Sequence, residues 1–341
     1  MNKISVEDFL KSREKNIPLI DTRTPLEFDQ GNIKYAHNLP LLSNEERILI
    51  GTIYKQEGKN AAIDAGINVI APKLGLLRDR IRSDFPQDEL SIYCWRGGMR
   101  SSSMAWFMEL LGKRVYVLIG GYKAYRHYVI EELSTLKLHL IVLGGRTGSG
   151  KTNILNSLKN LGEQIIDLEK LADHKGSAFG SIGSKKSVGT EEFENEIFEA
   201  LRVMDLSKPI WIENESRGVG VAQIPNNIWN QMREATVVHL EIEDNDRLNN
   251  LVQDYNPVQR NELVESFEKI RKRLGHENTD QAILFVKEGN LKEAARIALE
   301  YYDKTYEFGL RKRSQEKIIT VKTDEANPEL IAKKIQQLGV K

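Results

Sequence analysis

The stretch LHLIVLGG at residues 138–145 is a strongly apolar strand candidate that leads directly into a glycine-rich loop. After the loop, TNILNSLKNLG has the apolar spacing of an amphipathic helix. Strand, loop and helix in this order complete the Walker A pattern, whose backbone N–H groups surround a phosphate. We expect Lys151 to contact the terminal phosphates and Thr152 to ligate a magnesium ion. The candidate phosphate-binding residues are Gly145, Thr147, Gly148, Ser149, Gly150, Lys151 and Thr152.

Acidic residues near the ends of two later strand candidates could lie beside that metal. Asp167 lies in EQIIDLE, and Glu213 and Glu215 lie in PIWIENE. A P-loop commonly uses a carboxylate from a neighbouring strand to hold its metal. The sequence leaves the choice among the three open, and ordinary exposed carboxylates would produce the same pattern.

The glycine-rich stretch DHKGSAFGSIG follows the first of these strand candidates. Because ligands of α/β sheets bind beyond the carboxyl ends of the strands, His174, Lys175 and Ser177 are candidate substrate contacts. Arg217, which follows PIWIENE, is a further candidate.

Cys94 is the only cysteine of the chain, and it begins the segment CWRGGMRS between a buried strand candidate (89–94) and a helix candidate (100–112). Loop N–H groups, the helix N-terminus and the neighbouring Arg96 and Arg100 would favour the thiolate. A thiolate is the nucleophilic form of the side chain. Gly97, Gly98 and Ser101 complete the candidate anion loop. The loop by itself fits chalcogen transfer and phosphate-ester hydrolysis equally.

Strand and helix candidates alternate along both parts of the chain. IPLIDTR (17–23) and RVYVLIGG (114–121) lie on either side of the Cys94 strand in sequence. Beyond residue 138, TVVHLEIE (236–243) and KIITVKT (317–323) are further strand candidates. Such alternation predicts α/β domains with parallel sheets. We place an N-terminal domain at 1–133 and a P-loop domain at 138–341, whose last part is largely helical.

Length and composition limit the remaining possibilities. The chain of 341 residues is long enough for two domains, and its 49 basic and 49 acidic residues give no net charge that would indicate nucleic acid. A single cysteine excludes an intrachain disulfide and a multi-cysteine metal site. No apolar run approaches a membrane span, and the N-terminal residues lack the apolar core of a signal peptide. We therefore expect a cytoplasmic protein with no membrane partner.

Several segments resemble known families. The residues LIDTR (19–23), Pro25, Glu27-Phe28 and Gly31-Asn32-Ile33 resemble the opening signature of rhodaneses, with Asn32 at the position of the usual histidine. A second set resembles, in order, segments of bacterial tRNA 2-selenouridine synthases, in which a rhodanese domain precedes a P-loop domain. Its members are NLPLLSNEERILIGTIYKQEGKNAAIDAG (38–66), CWRGGMRSSSMAW (94–106), GGYKAYR (120–126), GGRTGSGKT (144–152), DLEKLADHKGSAFG (167–180), IENESRGVG (212–220) and YYDKTY (301–306).

The second resemblance implies a rhodanese-like N-terminal domain, a P-loop NTPase-like domain with a helical tail, and a tRNA-modifying transferase. Enzymes of that family replace sulfur by selenium at C2 of a wobble 2-thiouridine, with selenophosphate as donor. They work through an S-geranyl intermediate made from geranyl diphosphate. The resemblance implies that Cys94, Arg96 and Arg100 act on selenophosphate and that the P-loop holds geranyl diphosphate, with ATP or GTP as the competing ligand. A sulfurtransferase or thiol phosphatase fused to an NTPase is the alternative.

A tRNA partner requires basic surface to contact its phosphates. Candidate runs are Lys185-Lys186, Arg217, residues 271–273 and residues 311–313. Runs of this kind are more often solvated helix faces.

Overall fold

The computed structural model describes residues 1–177, 179–184, 186–254, 260–324 and 327–340. The chain divides into two compact units, residues 1–132 and 133–341. Each unit contains a five-stranded sheet in which every neighbouring pair of strands is parallel. The prediction of an α/β fold with two parallel sheets is confirmed.

The sheet of the first unit has the strand order β1-β5-β4-β2-β3. Its strands are β1 (Asn2–Ile4), β2 (Leu19–Asp21), β3 (His37–Asn38), β4 (Glu89–Tyr93) and β5 (Arg114–Leu118). The central strand β4 is buried from Leu90 to Tyr93, and its side chains pack with Met104 and Met108. Burial on both faces is typical of a parallel sheet covered by helices.

Seven helices begin in the first unit. They are α1 (Val6–Glu14), α2 (Pro25–Gln30), α3 (Asn44–Gln56), α4 (Lys59–Ile70), α5 (Leu74–Asp84), α6 (Met99–Leu110) and α7 (Gly121–Thr135). Local sequence sets where two of them start. Thr24 with Glu27 and Ser43 with Glu46 form capping boxes, in which the side-chain oxygen of each residue accepts a hydrogen bond from the backbone N–H of the other.

Arg23, at the end of the segment LIDTR (19–23), has a structural role. Arg23 is fully buried and donates from Nε to Asp21 Oδ2 at 2.9 Å and from Nη2 to the Gly31 carbonyl at 2.7 Å. Its guanidinium lies 3.8 Å from the centroid of the Tyr122 ring. These contacts connect the end of β2 to the chain after α2 and to α7.

The sheet of the second unit has the order β12-β11-β6-β8-β7, and a separate two-stranded antiparallel sheet joins β9 to β10. The strands are β6 (Leu140–Gly145), β7 (Gln164–Ile166), β8 (Ile210–Glu213), β9 (Gly218–Val219), β10 (Ala222–Gln223), β11 (Thr236–Ile242) and β12 (Ile318–Thr323). The five strands of the main sheet fall within predicted segments. Two-residue strands such as β9 and β10 are too short to leave a periodic signal.

The helices of the second unit are α8 (Lys151–Asn160), α9 (Leu168–Leu171), α10 (Thr190–Arg202), α11 (Asn226–Glu234), α12 (Asp244–Asp254), α13 (Arg260–Leu274), α14 (His276–Glu288), α15 (Leu291–Arg311) and α16 (Pro328–Gln337). Two buried clusters form. One joins α8 and α16 to the sheet, and the other joins α13, α14 and α15 through residues such as Phe267, Val286 and Ala298. Among the described residues, no helix is long and apolar enough to cross a membrane.

Candidate active sites

Cys94 lies directly after β4 at the N-terminal end of α6. Its side chain is 3% exposed, and its Sγ lies 3.2 Å from Ser101 Oγ in the first turn of α6. Ser101 Oγ also lies 3.2 Å from the Gly98 carbonyl, to which it can donate. A helix N-terminus favours negative charge. The structure thus brings together Cys94, Gly98 and Ser101 of the predicted anion loop.

Two glycines shape the cysteine loop. Gly97 and Gly121 have positive φ angles of 64° and 60°. A Cβ on Gly121 would lie 2.3 Å from the Cys94 carbonyl oxygen and 2.4 Å from Gly97 N. The first turn of α7 can therefore approach the loop, and Tyr122 N donates to the Cys94 carbonyl at 2.8 Å. Only a residue without a side chain fits at Gly121.

The two loop arginines have different surroundings. Arg96 is exposed. Arg100 is 20% exposed and donates to both carboxylate oxygens of Glu27, at 2.6 and 3.2 Å. Burial acts to raise the pKa of Glu27, but its hydrogen bonds to Arg100 and to Thr24 N lower that pKa below the ordinary value. Sequence reasoning missed Glu27 as the partner of Arg100, although TPLE is a recognisable capping box.

The predicted phosphate loop connects β6 to α8. Gly148 and Gly150 have φ angles of 81° and 70°, and Lys151 Nζ donates to the Gly145 carbonyl at 3.1 Å. Ser149 Oγ is buried and has no hydrogen-bond partner among the described residues. Asn250 Nδ2 donates to the Gly148 carbonyl at 2.9 Å, which ties α12 to the loop. The arrangement has the shape of an anion-binding backbone.

A buried arginine that sequence reasoning missed supports this loop. Arg247 Nε donates to the Thr147 carbonyl at 3.0 Å, and its Nη1 donates to Asp303 Oδ2 at 2.9 Å. Arg146, also in the loop, pairs with Glu307 at 2.6 Å. Helix α15 therefore supplies two carboxylates to the two arginines. These partners are far apart in sequence and leave no local motif.

A cluster of carboxylates lies beside Thr152. Thr152 Oγ1 donates to Glu169 Oε2 at 3.2 Å, and Glu169 N donates to Glu213 Oε2 at 3.2 Å. Burial and the charge of Glu215 raise the pKa of Glu169 to about 7, although Lys151 acts to lower it. Burial is also the main cause that raises the pKa values of Glu213 and Glu215.

Glu169 was not among the sequence candidates, and its position two residues beyond Asp167 is the signal that could have identified it. Asp167 itself caps α9, since its Oδ1 accepts from Lys170 N at 2.8 Å. Glu213 Oε1 is buried without a hydrogen-bond partner in the described residues. Among those residues, no three His, Cys, Asp or Glu side chains are placed to hold a metal by themselves.

The glycine-rich segment packs against these carboxylates. A Cβ on Gly176 would lie 2.7 Å from Glu169 Oε1. His174 and Lys175 line a cavity of about 320 Å³ together with Thr152, Asp167 and Glu169. Burial lowers the pKa of His174, whose Nδ1 has no hydrogen-bond partner in the described part of the chain.

The other sequence candidates line further cavities or pair with other side chains. Ser177 is exposed, has a φ of 50° and lines a second cavity with His174. Arg217 is exposed and donates to Asn226 Oδ1. Arg271 pairs with Glu268 and Asp280.

One proposed phosphate contact is wrong. Arg313 is 6% exposed and donates to the Met232 carbonyl at 2.8 Å and to Asn214 Oδ1 at 2.9 Å. Burial lowers its pKa to about 10. Its guanidinium satisfies polar groups inside the unit, so it is not available to RNA. Lys185 lies outside the described residues, and Lys186 pairs with Glu192.

Comparisons with known proteins match both halves of the chain. Residues 138–337 match the family model described as the tRNA 2-selenouridine synthase AAA domain, and residues 5–128 match the rhodanese-like domain. A tRNA 2-selenouridine synthase from Hydrogenovibrio crunogenus is 34% identical over 90% of this chain and 93% of its own. Enzymes of the same name from Nitrosomonas europaea (34% identical; 74% of this chain, 67% of its own) and Bdellovibrio bacteriovorus (37%; 71% and 65%) are also similar.

Proposed function

This chain belongs to the tRNA 2-selenouridine synthase family, and we propose from that premise that it replaces the C2 sulfur of a wobble 2-thiouridine in tRNA by selenium taken from selenophosphate. As a member of the family it is a tRNA-modifying transferase. The observation that supports a two-step reaction is that one chain holds both a thiol at a helix N-terminus and a complete P-loop.

In the first step, the sulfur of 2-thiouridine attacks the first carbon of geranyl diphosphate. The carbon–oxygen bond breaks, pyrophosphate leaves, and the base loses its N3 proton. The loop from Gly145 to Thr152 would hold the diphosphate, with Lys151 and the unpartnered Ser149 hydroxyl as donors to its oxygens. Stabilising the leaving group's charge is the main contribution such a loop can make.

A magnesium ion would fit beside this diphosphate. Mg²⁺ binds proteins through one or two carboxylates and completes its shell with phosphates and water, so a complete cage of side chains is not required. Thr152 and Glu169 would hold it, with the free Glu213 Oε1 nearby in the same carboxylate cluster. The ion would neutralise charge on the departing pyrophosphate.

In the second step, the selenium of selenophosphate attacks C2, the carbon–sulfur bond breaks, and the geranylated sulfur takes up a proton and leaves as geranylthiol. Water then attacks phosphorus, the phosphorus–selenium bond breaks, inorganic phosphate leaves, and N3 of the base regains its proton. Cys94 would contact the selenium, and Arg96 and Arg100 would bind the phosphate oxygens. Because Arg100 already binds the Glu27 carboxylate, the donor would exchange one anionic partner of Arg100 for another. Gly97, Gly98 and Ser101 would complete the anion loop.

The proposal predicts separable defects. The full chain is incubated with tRNA that contains 2-thiouridine, with geranyl diphosphate and selenophosphate, and the nucleosides are identified by mass spectrometry. We expect Cys94→Ser to abolish 2-selenouridine and to let the S-geranyl nucleoside accumulate, because serine lacks the sulfur that would contact the selenium of the donor. Lys151→Ala should slow geranylation roughly a hundredfold, since one charged donor to the leaving group is lost.

Circular dichroism of both variants serves as the control for folding. Loss of both nucleosides in folded Cys94→Ser would contradict the division of the two steps between the two sites. Unchanged 2-thiouridine with the folded wild-type chain would instead favour a sulfurtransferase or thiol phosphatase fused to an NTPase. Isothermal titration with geranyl diphosphate, ATP and GTP identifies the ligand of the P-loop.

A further inference from the structure

The last two turns of α15 expose an aromatic ring among cations. Phe308 is 62% exposed, and Lys312 Nζ, at the end of the helix, lies 4.1 Å from the centroid of its ring. Lys304 and Arg311 are exposed as well. Residues three or four apart lie on the same face of a helix. We refer to this face as the α15 stripe, and its members are Lys304, Phe308, Arg311 and Lys312.

The α15 stripe carries positive charge that the described residues leave largely uncompensated. Among them, no carboxylate lies within ion-pair distance of Lys304 or Lys312. Arg311 approaches Glu307 at 3.8 Å, and its side chain is 80% exposed. Asp303 and Glu307 are themselves bound by arginines of α12 and of the phosphate loop. The stripe therefore attracts an anionic partner.

The α15 stripe lies beside the phosphate loop of the same unit. Glu307 precedes Phe308 in the chain, and its Oε1 accepts a hydrogen bond from Arg146 Nη2 in the loop at 2.6 Å. An RNA that presents a base at the loop would therefore have the stripe as a neighbour.

The composition of the stripe indicates which kind of partner it fits. Single exposed apolar residues are common on protein surfaces, so the exposure of Phe308 alone indicates no partner. Its combination with three cations matches single-stranded RNA, whose unpaired bases stack on aromatic rings while its phosphates bind lysine and arginine. An apolar protein surface would bury the three cations without counter-charges, which is costly.

We infer that the α15 stripe binds a single-stranded loop of the substrate tRNA, with the Phe308 ring stacked on an unpaired base and the three cations on the phosphates beside it. This inference rests on the proposed function, which supplies the tRNA. Of the basic run 311–313, Arg313 is buried, and the other two residues belong to the stripe.

Fluorescence anisotropy of the full chain with a labelled RNA hairpin that has an unpaired loop tests the inference. A blunt duplex with the same stem is the comparison. Phe308→Ala should weaken hairpin binding at least about fivefold, because the unpaired base loses its stacking partner. Duplex binding should change less than about twofold, since paired bases are not available for this contact. Phe308→Tyr keeps an aromatic ring and should retain the wild-type affinity.

Matched variants separate the stripe from general surface effects. Leu284→Ala removes an apolar side chain that is 52% exposed on α14, and it should leave hairpin binding unchanged. Lys312→Ala should weaken hairpin binding and reduce the slope of log affinity against log salt concentration by about one. The same change at Lys333, an exposed lysine of α16, should do neither.

Two measurements verify that each variant is intact. Thermal unfolding reports the fold. Isothermal titration with pyrophosphate reports the phosphate loop, and its affinity should change less than about twofold in Phe308→Ala although Glu307 next to it binds Arg146.

The outcomes separate this inference from the proposed function. If the wild-type chain binds neither the hairpin nor tRNA, the proposed tRNA substrate is wrong and the inference fails with it. If the wild type binds RNA and Phe308→Ala binds the hairpin equally well, the function stands and the assignment of the stripe is overturned. An equal loss in Leu284→Ala, or an equal loss for the duplex, would also overturn it. A change of molar mass in light scattering of Phe308→Ala, with unchanged RNA affinity, would assign the stripe to a protein contact instead.

Discussion

At the scale of single residues, the carboxylates beside the P-loop are the groups whose chemistry differs most from their isolated behaviour. The backbone N–H of Glu169 donates a hydrogen bond to the Glu213 carboxylate, and the charge of Glu215 acts on Glu169. Burial disfavours the charged form of each, so their pKa values rise together. A bound cation would lower the pKa values of these carboxylates.

The titration of Glu169 predicts a pH effect on ligand binding. Its pKa of about 7 exceeds the ordinary 4.5, so the folded cluster holds more protons than the unfolded chain between these values. Stability from this group is therefore lost as pH rises through about 7, and a negative charge appears beside the phosphate site. We expect metal-free pyrophosphate binding to weaken about tenfold more between pH 6 and pH 8 in wild type than in Glu169→Gln.

Calorimetric titration in a chelator measures this difference. The variant controls for the ionisation of pyrophosphate itself, which is common to both proteins. Parallel pH profiles for the two proteins would show that Glu169 does not titrate in this range. Added Mg²⁺ should reduce the difference, because it neutralises the carboxylates.

At the scale of elements, the position of the cysteine loop depends on how closely α7 approaches it. The Gly-Gly turn at 120–121 places the first N–H groups of α7 on the carbonyls of Cys94 and Trp95, at 2.8 and 2.9 Å. Helix α6 meets the same loop from the other side through Ser101. The loop between β4 and α6 is thus held by two helices.

Gly121→Ala tests this packing. The added Cβ would overlap the Cys94 carbonyl and Gly97 N, and alanine disfavours the positive φ. We expect the free energy of unfolding of the first unit to fall by at least about 2 kcal/mol and selenation to fall with it. Urea unfolding and the nucleoside assay measure the two effects.

Gly75→Ala is the control for this substitution. Gly75 lies in α5, and its Cβ would meet nothing within 4 Å. Alanine there should leave selenation unchanged and raise stability by up to about 1 kcal/mol, because it has the higher helix propensity. Equal effects at positions 75 and 121 would argue against a specific contact at the cysteine loop.

At the scale of the whole molecule, the described residues form two five-stranded sheets with separate buried clusters. The cysteine lies in the first unit, and the P-loop lies in the second. A ligand of the P-loop binds the folded second unit and should stabilise that unit directly.

Differential scanning calorimetry should therefore resolve two transitions. Pyrophosphate at about a hundred times its Kd should stabilise the second unit by about 2.7 kcal/mol and raise its Tm by roughly 5–10 °C. Lys151→Ala should remove the shift. Asp21→Asn, which breaks the buried pair with Arg23, should lower the Tm of the other transition and identify it. A single transition that both variants shift equally would contradict independent cores.

Features that depend on neighbours along the chain could be predicted from the sequence. Apolar runs predicted the five strands of the second main sheet, and the glycines marked the loops after β4 and β6, because backbone conformation and strand burial depend on the local residue pattern. The α/β class followed from their alternation.

Tertiary structure alone decided which side chains meet. Arg100 pairs with Glu27 across 73 residues, and Arg146 pairs with Glu307 across 161. The burial of Arg313 and the contact between Thr152 and Glu169 were likewise not predictable from the sequence. Such contacts form when segments that are distant in sequence pack together. The periodic pattern of one segment does not indicate which distant segment will contact it.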